Sequence, residues 1–279
     1  MLWVPPARFT NIQSNLPATP DNSQWGIRYT ADAVSANTKG AYSAGEIFSS
    51  TTYDTFLVAI GWNGVGGSNT NTSTLLDIGI GASESESTII SNLLVGWRGS
   101  TTAAIGPHVI YLPLFIPAGS RVAGRIQSAA LSRTIDVAVW LYQGASQVPW
   151  HLYTGMDDYG VDTTTSRGTS HTPGNSGSES AWASVGSTAS RDYDGLFFLT
   201  QGLAGVDTVM IVGGYHWEIG YSDTTLAEYF ESTSTAEVIC GPHPAFPLPT
   251  SVPLGTQLQV RGECSTTAEA RDVAIYGLY

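Results

Sequence analysis

Apolar and polar positions alternate along this chain with a period of two. Phe56, Val58 and Ile60 fall on one side of an extended backbone, as do Leu76, Ile78 and Ile80, and Val137, Val139 and Leu141. Only a β-strand puts every second side chain on the same face. Turn-rich stretches such as Asn63-Gly64-Val65-Gly66-Gly67-Ser68-Asn69 separate these runs and supply positive φ and local side-chain hydrogen bonds. No long segment carries the 3.6-residue period of an amphipathic helix. The pattern predicts an all-β protein.

The pattern is also written twice. Ile116-Pro117-Ala118-Gly119-Ser120-Arg121-Val122 aligns without a gap on Val252-Pro253-Leu254-Gly255-Thr256-Gln257-Leu258, 136 residues further on. The same offset brings Arg125 onto Arg261 and Asp136-Val137-Ala138-Val139-Trp140 onto Asp272-Val273-Ala274-Ile275-Tyr276. Upstream, Gly106-Pro107-His108 recurs as Gly241-Pro242-His243, and Asp77-Ile78-Gly79-Ile80 resembles Glu218-Ile219-Gly220-Tyr221. Tyr53-Asp54 faces Tyr193-Asp194, and residues 4–10 resemble 148–154. Collinear matches with slowly drifting offsets are the mark of duplication.

Two copies are too few for a solenoid, so the expected fold is two tandem duplicated antiparallel β-sandwiches of jelly-roll kind. The first spans 1–143 with a polar N-terminal arm, and the second spans 144–279 with a Ser/Thr/Gly-rich leading segment at 163–190. That segment and its counterpart at 18–50 are too polar to build a core; they read equally as linkers or as arms that wrap a neighbour. Each copy is expected to close on a hairpin, residues 118–142 turning near 129–133 and residues 255–279 repeating it. Arg125 would then face Asp136, and Arg261 would face Asp272, as cross-strand ion pairs.

Charge narrows the function. Charged residues are only 12% of the 279, and the formal net charge is −12. With no basic stripe, the chain offers nothing to a phosphate backbone or an anionic lipid surface, so neither nucleic acid nor membrane is an expected partner. The first ten residues lack a signal-peptide pattern, and no run of 18 apolar residues occurs. Lys39 is the single lysine among 11 basic residues; surfaces that dock on other proteins deplete lysine and favour arginine with aromatics. Cys240 and Cys264 are read as two buried thiols, with a disulfide open to them in an oxidising compartment.

Candidate chemistry is thin, and no residue is assigned a catalytic, cofactor-binding or metal-binding role. His108 and His243 stand in loops, with no His-Glu-x-x-His or Gly-x-Ser-x-Gly spacing to partner them. Asp157-Asp158 and Glu84-Ser85-Glu86 are the acidic pairs that a glycosidase would need opposed across a cleft; in polar loops such pairs are ordinarily solvated. No Asp-x-Asp-x-Asp-Gly series marks a calcium loop. Trp62, Trp97, Trp150 and Trp182 serve equally as core residues or as accessible platforms for sugar rings.

The unit Leu112-Pro113-Leu114-Phe115-Ile116-Pro117-Ala118-Gly119-Ser120-Arg121, followed by Arg125 and a closing strand and present in both copies, resembles virion-associated structural proteins of tailed bacteriophages. The resemblance implies head-decoration, head-spike or tail-accessory proteins, non-enzymatic and without cofactor, assembled in the bacterial cytoplasm as homo-oligomers in contact with other virion proteins. The alternative is a β-sandwich module that binds host glycans.

Overall fold

The computed structural model describes residues 9–16, 26–65, 71–98, 108–144, 150–202, 213–233, 246–265 and 270–279. In the first half the strands are β1 (Asn11–Ser14), β2 (Ile27–Thr30), β3 (Glu46–Phe48), β4 (Thr55–Val65), β5 (Asn71–Thr72), β6 (Thr74–Ile80), β7 (Ser87–Leu94), β8 (Trp97–Arg98), β9 (His108–Leu112), β10 (Val122–Ser128) and β11 (Thr134–Gln143). The second half holds β12 (Met156–Tyr159), β13 (Thr169–His171), β14 (Ala183–Thr188), β15 (Tyr193–Gly202), β16 (Gly213–Tyr221), β17 (Thr224–Thr233), β18 (Leu248–Val252), β19 (Gln257–Cys264) and β20 (Arg271–Leu278). Among the described residues the single helical element is a 3-10 turn at Tyr42–Ala44.

Strand pairing repeats between the halves. One sheet of the first half runs β1 and β2, then β11, β4 and β9; its counterpart in the second half runs β12 and β13, then β20, β15 and β18. The opposing layers run β3, β10, β6, β7 and β14, β19, β16, β17. Each half is therefore a jelly-roll sandwich, in which two sheets interleaved in sequence cover each other's apolar faces.

The predicted closing hairpins do not form. β10 pairs with β3 and β6, whereas β11 pairs with β1, β2 and β4; β19 and β20 are parted in the same way. Residues 129–133 form a partly exposed connection that passes from one sheet to the other instead of turning within one. Strand alternation reports which face is apolar, but both sheets of a sandwich satisfy it equally. Arg125 accordingly pairs with Asp77 and Asp136 with Arg28; Arg261 pairs with Glu218 and Asp272 with Arg167. All four acid–arginine pairs obey the duplication, although none is the pair expected.

The turn that carries the repeated motif is explained by its glycine. Ser120 N donates to Pro117 O and Thr256 N to Pro253 O, with Gly119 at φ 78° and Gly255 at φ 79°. That is a type II turn, whose third position requires positive φ. Asp54 accepts the Ala118 amide, and Asp192 accepts the equivalent Leu254 amide. The structural partner of Asp54 is thus Asp192, two residues before the Asp194 suggested by sequence alignment.

The two sandwiches share a sheet. Met156 of β12 pairs in parallel with Ile90 of β7, so the β3 layer of the first half and the β18 layer of the second form one nine-stranded sheet. Alternate residues of β15 and β20 then face two cores. Phe198, Val273 and Ile275 join the second sandwich's own core, while Phe197, Leu199, Tyr276 and Leu278 join the core of the first. The Tyr276 hydroxyl accepts from Leu94 N and donates to Asn92 O, closing the junction.

The segment 163–190 is built into the second sandwich. It contributes β13 and β14, and Gly174 and Ser180 donate their amides to Gly262 O. Cys264 is buried in the second core. Cys240 and the stretch Gly241-Pro242-His243 lie outside the described residues, as do the side chains of His108 and Trp97.

Candidate functional site

Two features of the surface carry chemistry, and the first follows the duplication. The first is an arginine on the outer face of each sandwich. Arg125 Nε lies 2.9 Å from Asp77 Oδ2, Lys39 Nζ lies 2.6 Å from the same oxygen, and the Arg125 guanidinium sits 4.3 Å from the Tyr42 ring centroid. An open cleft of about 410 Å³ adjoins it, lined by Tyr42, Glu84, Glu86 and Thr88. In the second half, Arg261 reaches Glu218 at 2.9 Å and Glu179 at 2.8 Å, 4.7 Å from the Trp182 ring. Tyr42 and Trp182 are 140 residues apart, and so are Lys39 and Glu179. The place held by an ammonium group in one half is held by a carboxyl in the other.

That exchange sets the local electrostatics. Burial raises the pKa of Glu218, but the Thr225 hydroxyl, the neighbouring Glu179 carboxyl and Arg261 outweigh it and bring the group down to about 2. The carboxylate of Glu218 in turn pushes Glu179 above the ordinary glutamate range, with burial adding to it. Glu179, His216 and Glu218 bring three atoms of metal-ligand type within 4.8 Å of one another. Arg261 already supplies a cation to both carboxylates. His216 and Glu218 are two apart on one strand face, a spacing visible in the sequence; Glu179 arrives from the loop before β14, which no local pattern announces.

The acidic pairs singled out by sequence are not opposed across a cleft. Asp157 and Asp158 are adjacent on β12 and face opposite sides of the sheet. Asp157 accepts from the Tyr193 hydroxyl and lies 3.1 Å from Arg191. Asp158 accepts from Ser91 and Asn92 across the junction; burial pushes its pKa up, against those two bonds. Glu84 sits in a turn at φ 66°, and Glu86 is ion-paired with Arg121.

The second feature is a string of aromatic rings on the outer face of the β1–β11–β4–β9 sheet. Tyr142 is 5.3 Å from Phe9, Phe9 is 6.2 Å from Trp150, Trp150 is 6.3 Å from Phe246, and Phe246 is 5.9 Å from Tyr111. All five rings, and Trp140 beside them, are half-buried, and Ile12 is 55% exposed. Of the tryptophans named from sequence, Trp150 and Trp182 are partly accessible and Trp62 is a core residue. Sequence reading missed this face because its rings come from four separated segments.

Fold and surface together define a tandem jelly-roll protein with an aromatic outer face. No family model matches the chain, and no curated protein matches it. Solved structures similar to it include PNGF-II, 8% identical with a TM-score of 0.43, which covers 96% of this chain and 65% of its own. The chain therefore spans less than two thirds of that protein. Others are Broad Bean Stain Virus, at 8% identity and TM-score 0.32 over 90% of this chain and 87% of that one, and the CBM22-1-CBM22-2 tandem of Paenibacillus barcinonensis Xyn10C, at 10% and 0.26 over 97% and 92%. At TM-scores this low they add nothing to the fold read from strand pairing. Among the described residues no helix is long and apolar enough to cross a membrane.

Proposed function

We propose that this chain is a non-enzymatic virion structural protein that works by protein–protein contact, as a capsid or tail accessory component assembled in a bacterial host. The observation that carries the reading is the half-exposed aromatic face bearing Ile12, Trp140 and Tyr142 on a protein with only 12% charged residues. Docking surfaces are rich in aromatics and poor in charge at their centre, because those groups lose least on leaving water. The phage-like turn unit of both copies supports the same reading. Native mass by light scattering tests it: a closed or growing oligomer supports contact as the role, and a single-chain mass at every concentration overturns self-assembly.

Glycan binding is the second reading, favoured by the unbroken run of rings from Tyr142 to Tyr111. Sugar platforms need coplanar rings, however, and only Tyr111 and Phe246 approach that, at 14°; the other three contacts are inclined by 36° to 67°. Quenching of tryptophan fluorescence by host polysaccharide would favour it over protein contact.

A further inference from the structure

We infer that the junction between the two sandwiches of one chain is repeated between chains, so that the protein associates head to tail with a second copy of itself. This rests on the reading of the chain as a contact protein and names its partner. Inside the chain, the second sandwich offers β12 and the outer face of its sheet, and the first offers the free edge of β7. The duplication leaves one unused counterpart of each surface.

Strand register identifies them. Thr10 donates its amide to Gln143 O as Thr154 does to Tyr279 O, so Ile12 of β1 is the counterpart of Met156 of β12. Met156 is 1% exposed inside the junction, whereas Ile12 is 55% exposed. Tyr276 and Leu278, fully buried there, correspond to Trp140 and Tyr142, which are half-exposed. On the other side, β17 corresponds to β7 and, among the described residues, ends its sheet. Pairing of Ile219 with Ala227 mirrors that of Ile78 with Ile90, and pairing of His216 with Phe230 mirrors that of Leu75 with Leu94. Leu94 is 1% exposed and Phe230 is 63% exposed.

Two of the seven large hydrophobic side chains exposed among the described residues thus stand at junction positions, one on each unused surface. A ten-residue strand whose outer edge is unpaired among the described residues is a template for another strand. Set in the register of the internal junction, Ile12 of one copy lies opposite Ala227 of the next, as Met156 lies opposite Ile90. The contact is heterologous, so it generates rings or filaments rather than isolated pairs.

The test uses the full chain, wild type and as Ile12→Asp and Phe230→Asp, with circular dichroism to establish that each variant is folded. Both side chains are exposed, so neither substitution enters a core. Light scattering is expected to give a wild-type mass that is a multiple of 29.5 kDa, a single-chain mass for each variant alone, and the mass of two chains for their equimolar mixture. Mixing restores one contact because Ile12→Asp keeps an intact β17 and Phe230→Asp keeps an intact β1 face. Variants that retain the wild-type oligomer, or a mixture that stays at one chain, overturn the head-to-tail junction and leave the contact reading standing. A wild-type protein that stays at one chain overturns the junction together with self-assembly.

Discussion

Asp272 shows what a single residue contributes here. Its side chain is fully buried, and burial raises its pKa while bidentate bonds from Arg167 at 2.9 and 3.1 Å lower it again. Removing the arginine strands a carboxylate in the core, so Arg167→Met should cost about 3 kcal/mol in urea unfolding at neutral pH. His171 gives the complementary pH dependence. Burial lowers its pKa, and its Nε2 lies 2.9 Å from Ser180 Oγ. The unfolded chain binds the proton more readily than the fold does, so its contribution is whole above the ordinary histidine pKa and is lost as pH falls through that value toward the folded one. The urea midpoint should drop from pH 7 to 5, and His171→Gln should shrink that drop.

At the scale of elements, two glycines separate backbone strain from crowding. Gly119 has φ 78° and open space where a Cβ would go, so Gly119→Ala should cost only about 1 kcal/mol of conformational strain. Gly26 has φ 93° and would set a Cβ 2.3 Å from Val137 O, where β2 meets β11. Gly26→Ala must displace the strand as well, and about 3 kcal/mol is expected by thermal melting. The strands and the duplication were legible because each is written in neighbouring residues. The hairpins were misread because the residues at 129–133 suit a turn within a sheet and a crossing between sheets equally well.

For the whole molecule, the shared sheet predicts cooperative unfolding. Phe197, Leu199, Tyr276 and Leu278 belong to the second sandwich and are buried in the core of the first, so neither half can open without exposing the other. Calorimetry should show one transition, with the calorimetric enthalpy equal to the van't Hoff value. Tyr276→Phe should lower stability by about 2 kcal/mol, since it leaves Leu94 N and Asn92 O buried without their partner.

Sequence alone determined the strands and their repetition, because alternation and duplication are properties of short stretches of chain. Tertiary structure decided which sheet each strand joins, which acid each arginine meets and where the two sandwiches fuse. Those choices pair residues far apart in the chain, 108 positions for Arg28 with Asp136 and 182 for Leu94 with Tyr276, and they are settled by which apolar faces can be buried together.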